Sequence, residues 1–166
     1  MKYDFDDTPI LSTRWMELID GFQVCPTEYT RSLVIDEMGA AILAHALKES
    51  SFEVEHSLGG PDALIAECRR FRRWLIRDDL PATFHVYRGH FNKEKADGGI
   101  CWTTSLWQAE TFAHYRMAFP DAKADPEACP TVVKRFATHE EALMALPEDV
   151  EDEIVLTRNP VLNPNI

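Results

Sequence analysis

Positive charge is scarce in this sequence. Its 166 residues include 17 lysines and arginines against 28 aspartates and glutamates, which gives a formal net charge of −11. Because nucleic-acid phosphates are bound by clustered Lys and Arg, this balance argues against nucleic-acid binding as the main function. An acidic protein can also mimic nucleic acid, so an inhibitor that binds a host factor stays open as an alternative.

Paired cysteines are also absent. The chain has four cysteines but no CxxC pair and no Cys/His spacing typical of zinc sites, so we expect no metal and no thioredoxin-like motif. Free, buried thiols are the simpler interpretation of Cys25, Cys68, Cys101 and Cys129.

Long apolar runs are missing too. The longest apolar-leaning stretch, Met38 to Leu47, is far shorter than the roughly 20 residues of a membrane span, and the acidic first residues do not resemble a secretory signal. We therefore expect a cytoplasmic protein. With 45% apolar and 27% charged residues, the sequence predicts one folded domain over 1–166.

The first 80 residues show helical periodicity. Apolar spacing predicts helices over 14–19, 27–49 and 61–77, with a non-helical connection from Ser50 to Gly60. The third helix carries an arginine-rich face, which is either solvated or able to bind an acidic partner. Its members are Arg69, Arg70, Arg72, Arg73 and Arg77.

From residue 81 onward the pattern changes to short β-branched and aromatic segments, with helical segments between them. The sequence therefore predicts an α+β fold with a helical N-terminal part, 1–80, packed on a β-rich part, 81–166. The predicted strands are 84–88, 100–104, 131–137 and 153–157, the predicted helices are 106–117 and 139–146, and 120–130 is expected to be a loop.

Two of these strands end on residues suited to binding an anion. The first ends on Tyr87-Arg88-Gly89, where a guanidinium could grip a phosphate and a glycine could let a ligand approach the backbone. The second passes from Trp102 into hydroxyls at Thr103, Thr104 and Ser105.

The order of three motifs resembles that of ADP-ribosyltransferases of the arginine–serine–glutamate class. The motifs are Tyr87-Arg88-Gly89, Trp102-Thr103-Thr104-Ser105 and Glu151-x-Glu153 followed by apolar residues, and the most similar members are small phage and bacterial proteins. The resemblance covers roughly residues 84–162. It implies a split β-sheet core and transfer of ADP-ribose from NAD to a protein side chain in a bacterial host, with release of nicotinamide.

The resemblance also implies roles for particular residues. Arg88 would grip the NAD phosphates or the adjoining ribose, and Thr103 would stand at the first serine of the Ser-Thr-Ser motif. Glu153 would be the catalytic glutamate, and Glu151 would help activate or position the acceptor. Since breaking the nicotinamide–ribose bond builds positive charge on the sugar, a fixed carboxylate is the group this chemistry needs. Trp102 or Tyr87 could supply a flat surface for nicotinamide.

Simpler interpretations remain for each of these residues. Arg88 could form a surface ion pair, Ser105 could cap a helix, and Glu151 and Glu153 could be a solvated edge. A register slip of one residue would invert every side chain of the last strand. The chain could also be an NAD glycohydrolase or a non-catalytic interaction protein. His85, His90 and His114 are interpreted as structural, and Trp74 and Trp107 as core residues.

Overall fold

The computed structural model describes residues 28–146 and 152–157, with side chains from residue 36 onward. The predicted helix over 14–19 and the predicted site residue Glu151 lie outside these ranges. The chain divides into two compact units, Met1–Leu75 and Ile76–Ile166, where the sequence indicates one domain. The packing of the helical part on the β-rich part stays a prediction.

In the first unit, the long helix α1 spans Glu28–Leu58 and is interrupted at Ser50, whose φ of −167° and ψ of 102° are extended. The predicted helix 27–49 therefore ends where expected. The prediction of a non-helical stretch from Ser50 to Gly60 is wrong, because the Ser50 hydroxyl accepts a hydrogen bond from the Glu53 amide at 3.3 Å and so caps a second helical segment. Positive φ values at Gly59 and Gly60 accompany the end of that segment.

Helix α2, Pro61–Leu75, is amphipathic as the apolar spacing predicts. It buries Leu64, Ile65, Cys68, Phe71 and Leu75. The burial predicted for the free thiols is thus confirmed for Cys68, but it is wrong for Cys129, which is exposed in a connecting segment. A Cβ on Gly39 of α1 would lie 2.9 Å from the Phe71 ring, so a small residue lets the two helices approach closely. The arginines on the opposite face are mostly exposed, and Arg70 forms an exposed 3.6 Å ion pair with Asp36.

The second unit is built on a five-stranded antiparallel sheet. Its strands are β1 (Thr83–His90), β2 (Cys101–Thr103), β3 (Thr131–Thr138), β4 (Ala142–Ala145) and β5 (Glu153–Leu156), in the order β3-β1-β2-β5-β4. Three helices lie between them in the chain: α3 (Lys93–Asp97), α4 (Leu106–Arg116) and α5 (Pro120–Lys123). Mixed helix and antiparallel sheet confirm the α+β class.

The prediction of a helix over 139–146 is wrong, because strand β4 lies in this segment. Ala, Leu and Met favour helices, but Ala142–Ala145 are all buried and pair with β5. Burial on both sides of a sheet suits a continuous apolar run, so tertiary pairing overrides local propensity. A second, smaller correction is the helical turn α5 inside the predicted loop 120–130.

The sheet has two different faces. The core face carries the apolar side chains of alternate residues, which pack into one cluster with Leu80, Ala96 and half-buried Ile76. The opposite face, which we call the carboxylate face, carries the residues between them, because successive side chains of a strand alternate. The strand residues of the core cluster are Phe84, Val86, Trp102, Val133, Ala137, Ala142, Ala145, Ile154 and Leu156.

Candidate functional site

Strand register brings three of the predicted site residues into one row. Tyr87 of β1 pairs with Thr103 of β2, and Thr103 pairs with Glu153 of β5. Paired residues share a face and neighbouring strands lie about 4.8 Å apart, so a phenol, a hydroxyl and a carboxylate stand side by side on the carboxylate face. All three side chains are half-buried. The row is therefore partly sheltered from water.

The residue before Glu153 has an unusual backbone. Asp152 has a φ of 48°, in the left-handed region that few non-glycine residues adopt, and its carbonyl accepts a hydrogen bond from the Thr104 amide at 3.1 Å. The turn and the hydrogen bond together fix the point where β5 enters the sheet. They thereby set which face receives the Glu153 carboxylate. The partner acid Glu151 lies outside the described residues, so its role stays a prediction.

Arg88 does not share the face of this row. It follows Tyr87 in β1 and therefore projects to the core face, where its Nη1 donates to the Cys101 carbonyl oxygen. Its guanidinium lies against Gly99, since a Cβ added there would collide with it. Arg88 thus ties β1 to the start of β2. The structure does not bring it together with Thr103 and Glu153.

Trp102 is buried and cannot offer a surface to nicotinamide. Only 2% of it is exposed, and its indole Nε1 donates to the Gly99 carbonyl at 2.9 Å. The expectation that Trp102 supplies the flat surface is therefore wrong, because alternation sends it to the core face beside Ile154. Tyr87 keeps that possibility, since it is half-buried on the carboxylate face.

The space next to Gly89 is filled by helix α4. A Cβ at this position would lie 2.7 Å from the backbone nitrogen of Ala113 and would also collide with the Ala109 carbonyl of helix α4. The sequence predicts that this glycine admits a ligand to the backbone, and that prediction is wrong. It admits a helix instead, because two alanines and a glycine let the α4 backbone rest directly on β1.

The hydroxyl run divides into local structural roles. Thr103 Oγ1 accepts from the Ser105 amide at 3.0 Å, and Ser105 Oγ accepts from the Gln108 amide at 3.3 Å. Ser105 is therefore the N-cap of α4, as the simpler interpretation holds. Thr104 is half-buried, and its amide bonds Asp152. Of the three hydroxyls, Thr103 is the one that the register places beside Glu153.

His90 is the only buried polar or charged residue in the described part of the chain. Its Nδ1 accepts from the Asn92 amide at 3.1 Å, and Arg116 Nη2 lies 3.4 Å from its Nε2. Burial, then the positive charges of Arg116, Arg88 and Lys95, lower the pKa of His90 from 6.5 to about 4. These contacts support the interpretation of His90 as structural. Within the described ranges, no group of three His, Cys, Asp or Glu side chains could hold a metal.

Two features of this region escape sequence reasoning. Trp107, predicted to be core, is 66% exposed, because α4 turns Ala109 and Ala113 toward the sheet.

Lys134 of β3 pairs with Tyr87, and its Nζ lies 5.9 Å from the centre of the Tyr87 ring. The lysine thus extends the row at the end opposite Glu153. Only the pairing of β3 with β1 reveals this, and the sequence carries no signal for it.

Comparisons of the chain with protein-family models, curated proteins and solved structures gave no match. Among the helices that the structure describes, none combines the length and the apolar character needed to cross a membrane.

Proposed function

We propose that the protein is an NAD-dependent mono-ADP-ribosyltransferase that transfers ADP-ribose to a protein side chain and releases nicotinamide. The observation that carries the proposal is the row formed by Tyr87, Thr103 and Glu153 across three neighbouring strands. These residues come from three sequence motifs separated by up to 66 positions (153 − 87). An aromatic ring, a hydroxyl and a carboxylate on one half-buried surface are the group types that this reaction needs.

The proposed reaction assigns a separate task to each member of the row. The bond between ribose C1′ and the nicotinamide ring nitrogen breaks, and its electron pair leaves with nicotinamide, which becomes neutral. The positive charge that develops on the ribose is stabilised by the Glu153 carboxylate. The Thr103 hydroxyl orients the ribose and the carboxylate, and Tyr87 packs against the nucleotide. A nucleophilic side chain of the acceptor then bonds to C1′ and gives up its proton to solvent water.

Arg88 takes part in this proposal as a positioning residue. Its hydrogen bond to the Cys101 carbonyl joins β1 to β2 two residues before Thr103. Since Thr103 must face Glu153 for the reaction, an arginine on the core face supports the site without touching NAD. We therefore assign to another residue the role that the resemblance gives to Arg88, which is to bind the NAD phosphates or the adjoining ribose.

Replacing Glu153 with glutamine tests the proposal. Glu153→Gln keeps the size of the side chain and removes its charge, so nicotinamide release should fall by roughly 10² to 10³, the scale for losing one preorganised electrostatic contact. The affinity for NAD, measured by calorimetry, should change little. Glu127→Gln, at an exposed position after α5, is the matched control and should retain the wild-type rate.

The same assay separates the alternatives. Nicotinamide release without labelled protein in a bacterial lysate would identify water as the acceptor and the chain as an NAD glycohydrolase. A wild-type protein that neither releases nicotinamide nor gains thermal stability in millimolar NAD would refute the enzyme, because a ligand bound only by the folded state must raise the melting temperature.

A further inference from the structure

We infer that Lys134 binds the pyrophosphate of NAD, the task that the resemblance gives to Arg88. The inference rests on the proposed function and names a substrate-binding residue of the same site. The inference follows from two properties of each nearby cation: the face of the sheet on which it lies, and its distance from Glu153.

Arg88 is on the wrong face for this task. Its guanidinium donates to the Cys101 carbonyl and packs against Gly99, whose own carbonyl accepts from buried Trp102. A ligand lying over Glu153 is separated from Arg88 by the sheet itself. Arg135 is likewise excluded, since it pairs with Val86 of the core face and forms an ion pair with Asp97.

Lys134 is on the correct face, as two ring contacts show. Its ammonium lies over the Tyr87 ring, and the next residue on the same face, Phe136, packs edge-on against His85 at 4.6 Å between ring centres. The Lys134 side chain is exposed, and within the described residues it has no ion-pair partner. An ammonium in this setting can exchange water for a phosphate oxygen at small cost.

The spacing along the row fits a dinucleotide. Tyr87 is two strands away from Glu153, a distance of roughly 10 Å, and the Lys134 ammonium lies above it. In NAD the pyrophosphate is attached to C5′ of the same ribose that carries nicotinamide, so a phosphate lies about one sugar beyond the reacting bond. A ribose at Glu153 and Thr103 thus directs its phosphates along the row toward β3.

Charge also gives the row a direction. The acidic end, with Asp152 and Glu153, suits the positively charged nicotinamide ring, and Lys134 at the other end suits the phosphates. In a chain of net charge −11, an exposed cation on the face of the site has an additional effect, because it offsets the general repulsion of an anionic substrate. Lys134 therefore both binds NAD and sets the orientation in which it enters.

Removing the ammonium tests the inference. The affinities of wild type, Lys134→Met and Lys134→Arg for ADP-ribose and for nicotinamide riboside, which has no phosphate, are measured by calorimetry. Lys134→Met should weaken ADP-ribose binding roughly tenfold to a hundredfold, the loss expected for a hydrogen bond to a charged group. Nicotinamide riboside should bind unchanged, and Lys134→Arg should restore most of the ADP-ribose affinity.

The matched control is Lys123→Met, which removes the same charge from an exposed position in α5 and should leave both affinities unchanged. Wild-type affinity of Lys134→Met for ADP-ribose, or an equal loss in Lys123→Met, would overturn the inference. If the wild type still releases nicotinamide in that case, the inference about Lys134 is wrong but the proposed function is not contradicted. If the wild type neither binds ADP-ribose nor releases nicotinamide, both proposals are wrong.

Discussion

The two faces of the sheet carry side chains of different kinds. On the core face, Trp102 is 2% exposed and the residue beside it on β5, Ile154, is 1% exposed. On the carboxylate face, the residues one step along each strand, Thr103 and Glu153, are half-buried and polar. In both strands, a residue packed in the core is thus the direct neighbour in sequence of a residue of the candidate site. Neighbours within a sequence motif can consequently serve opposite sides of the molecule.

Tyr87-Arg88-Gly89 shows the same separation within three residues. Tyr87 lies in the candidate site, Arg88 ties two strands together from the core face, and Gly89 accommodates the α4 backbone. Treating the tripeptide as one functional motif misassigns two of its three members. The structure therefore predicts that substitutions at adjacent positions will affect different properties, ligand binding at Tyr87 and stability at Arg88 and Gly89.

The largest expected effect is the loss of Trp102. Trp102→Ala removes an almost fully buried ring from the core cluster and should lower the free energy of unfolding by about 3–5 kcal/mol. Trp107→Ala is the matched control, because its ring is 66% exposed, and it should cost less than about 0.5 kcal/mol. Urea denaturation of both variants measures the difference. Similar losses would mean that the two indoles do not differ in burial as described.

The next effect concerns His90, the buried histidine at the end of β1. Because the folded state lowers the pKa of His90 from 6.5 to about 4, the unfolded chain takes up a proton that the folded protein resists. The contribution of neutral His90 to stability is complete above pH 6.5 and is lost as the pH falls toward 4. A pKa separation of this size corresponds to roughly 3 kcal/mol.

Unfolding free energies at about pH 7.5 and about pH 4.5 measure this loss. His90→Gln should show a pH dependence smaller than that of the wild type by up to about 3 kcal/mol, while other titrating groups cancel in the comparison. His114→Gln, at an exposed position of α4, should behave like the wild type. Equal pH dependence in wild type and His90→Gln would show that His90 is not held neutral.

The smallest effect concerns the turn that orients Glu153. Since Asp152 has a φ of 48°, a β-branched residue there is strained and glycine is not. Asp152→Val should therefore be less stable than Asp152→Gly by about 1–2 kcal/mol in urea denaturation. Under the proposed function, the valine variant should also release nicotinamide more slowly, because a displaced turn moves the Glu153 carboxylate. Identical stabilities of the two variants would contradict the left-handed conformation.

Sequence reasoning predicted the elements better than it predicted their surroundings. Strands near 84–88, 100–104, 131–137 and 153–157 all occur, because β-branched and aromatic runs with turn residues around them mark short strands locally. Strand β4 could not be predicted in this way, since Ala142–Ala145 become extended only through pairing with β5. Its local composition favours the helix that the spacing predicted.

For the candidate site, the sequence identified residues but not their faces. The alternation of Arg88 and Trp102 to the core face depends on the pairing of Tyr87 with Thr103, and nothing within either strand determines that register. Lys134 was missed for the same reason, because its place opposite Tyr87 is a property of two strands together. Only residues with a local role, such as the helix cap Ser105, could be interpreted from their neighbours.

Helix α4 crosses β1 at Gly89 with its backbone in direct contact with the strand. Any side chain at this position would meet the backbone of Ala109 and Ala113, so the glycine is required by packing in whatever protein shares this crossing. Because packing alone accounts for the glycine, an arginine–glycine pair at the end of such a strand indicates a helix crossing and is not by itself evidence of a ligand site.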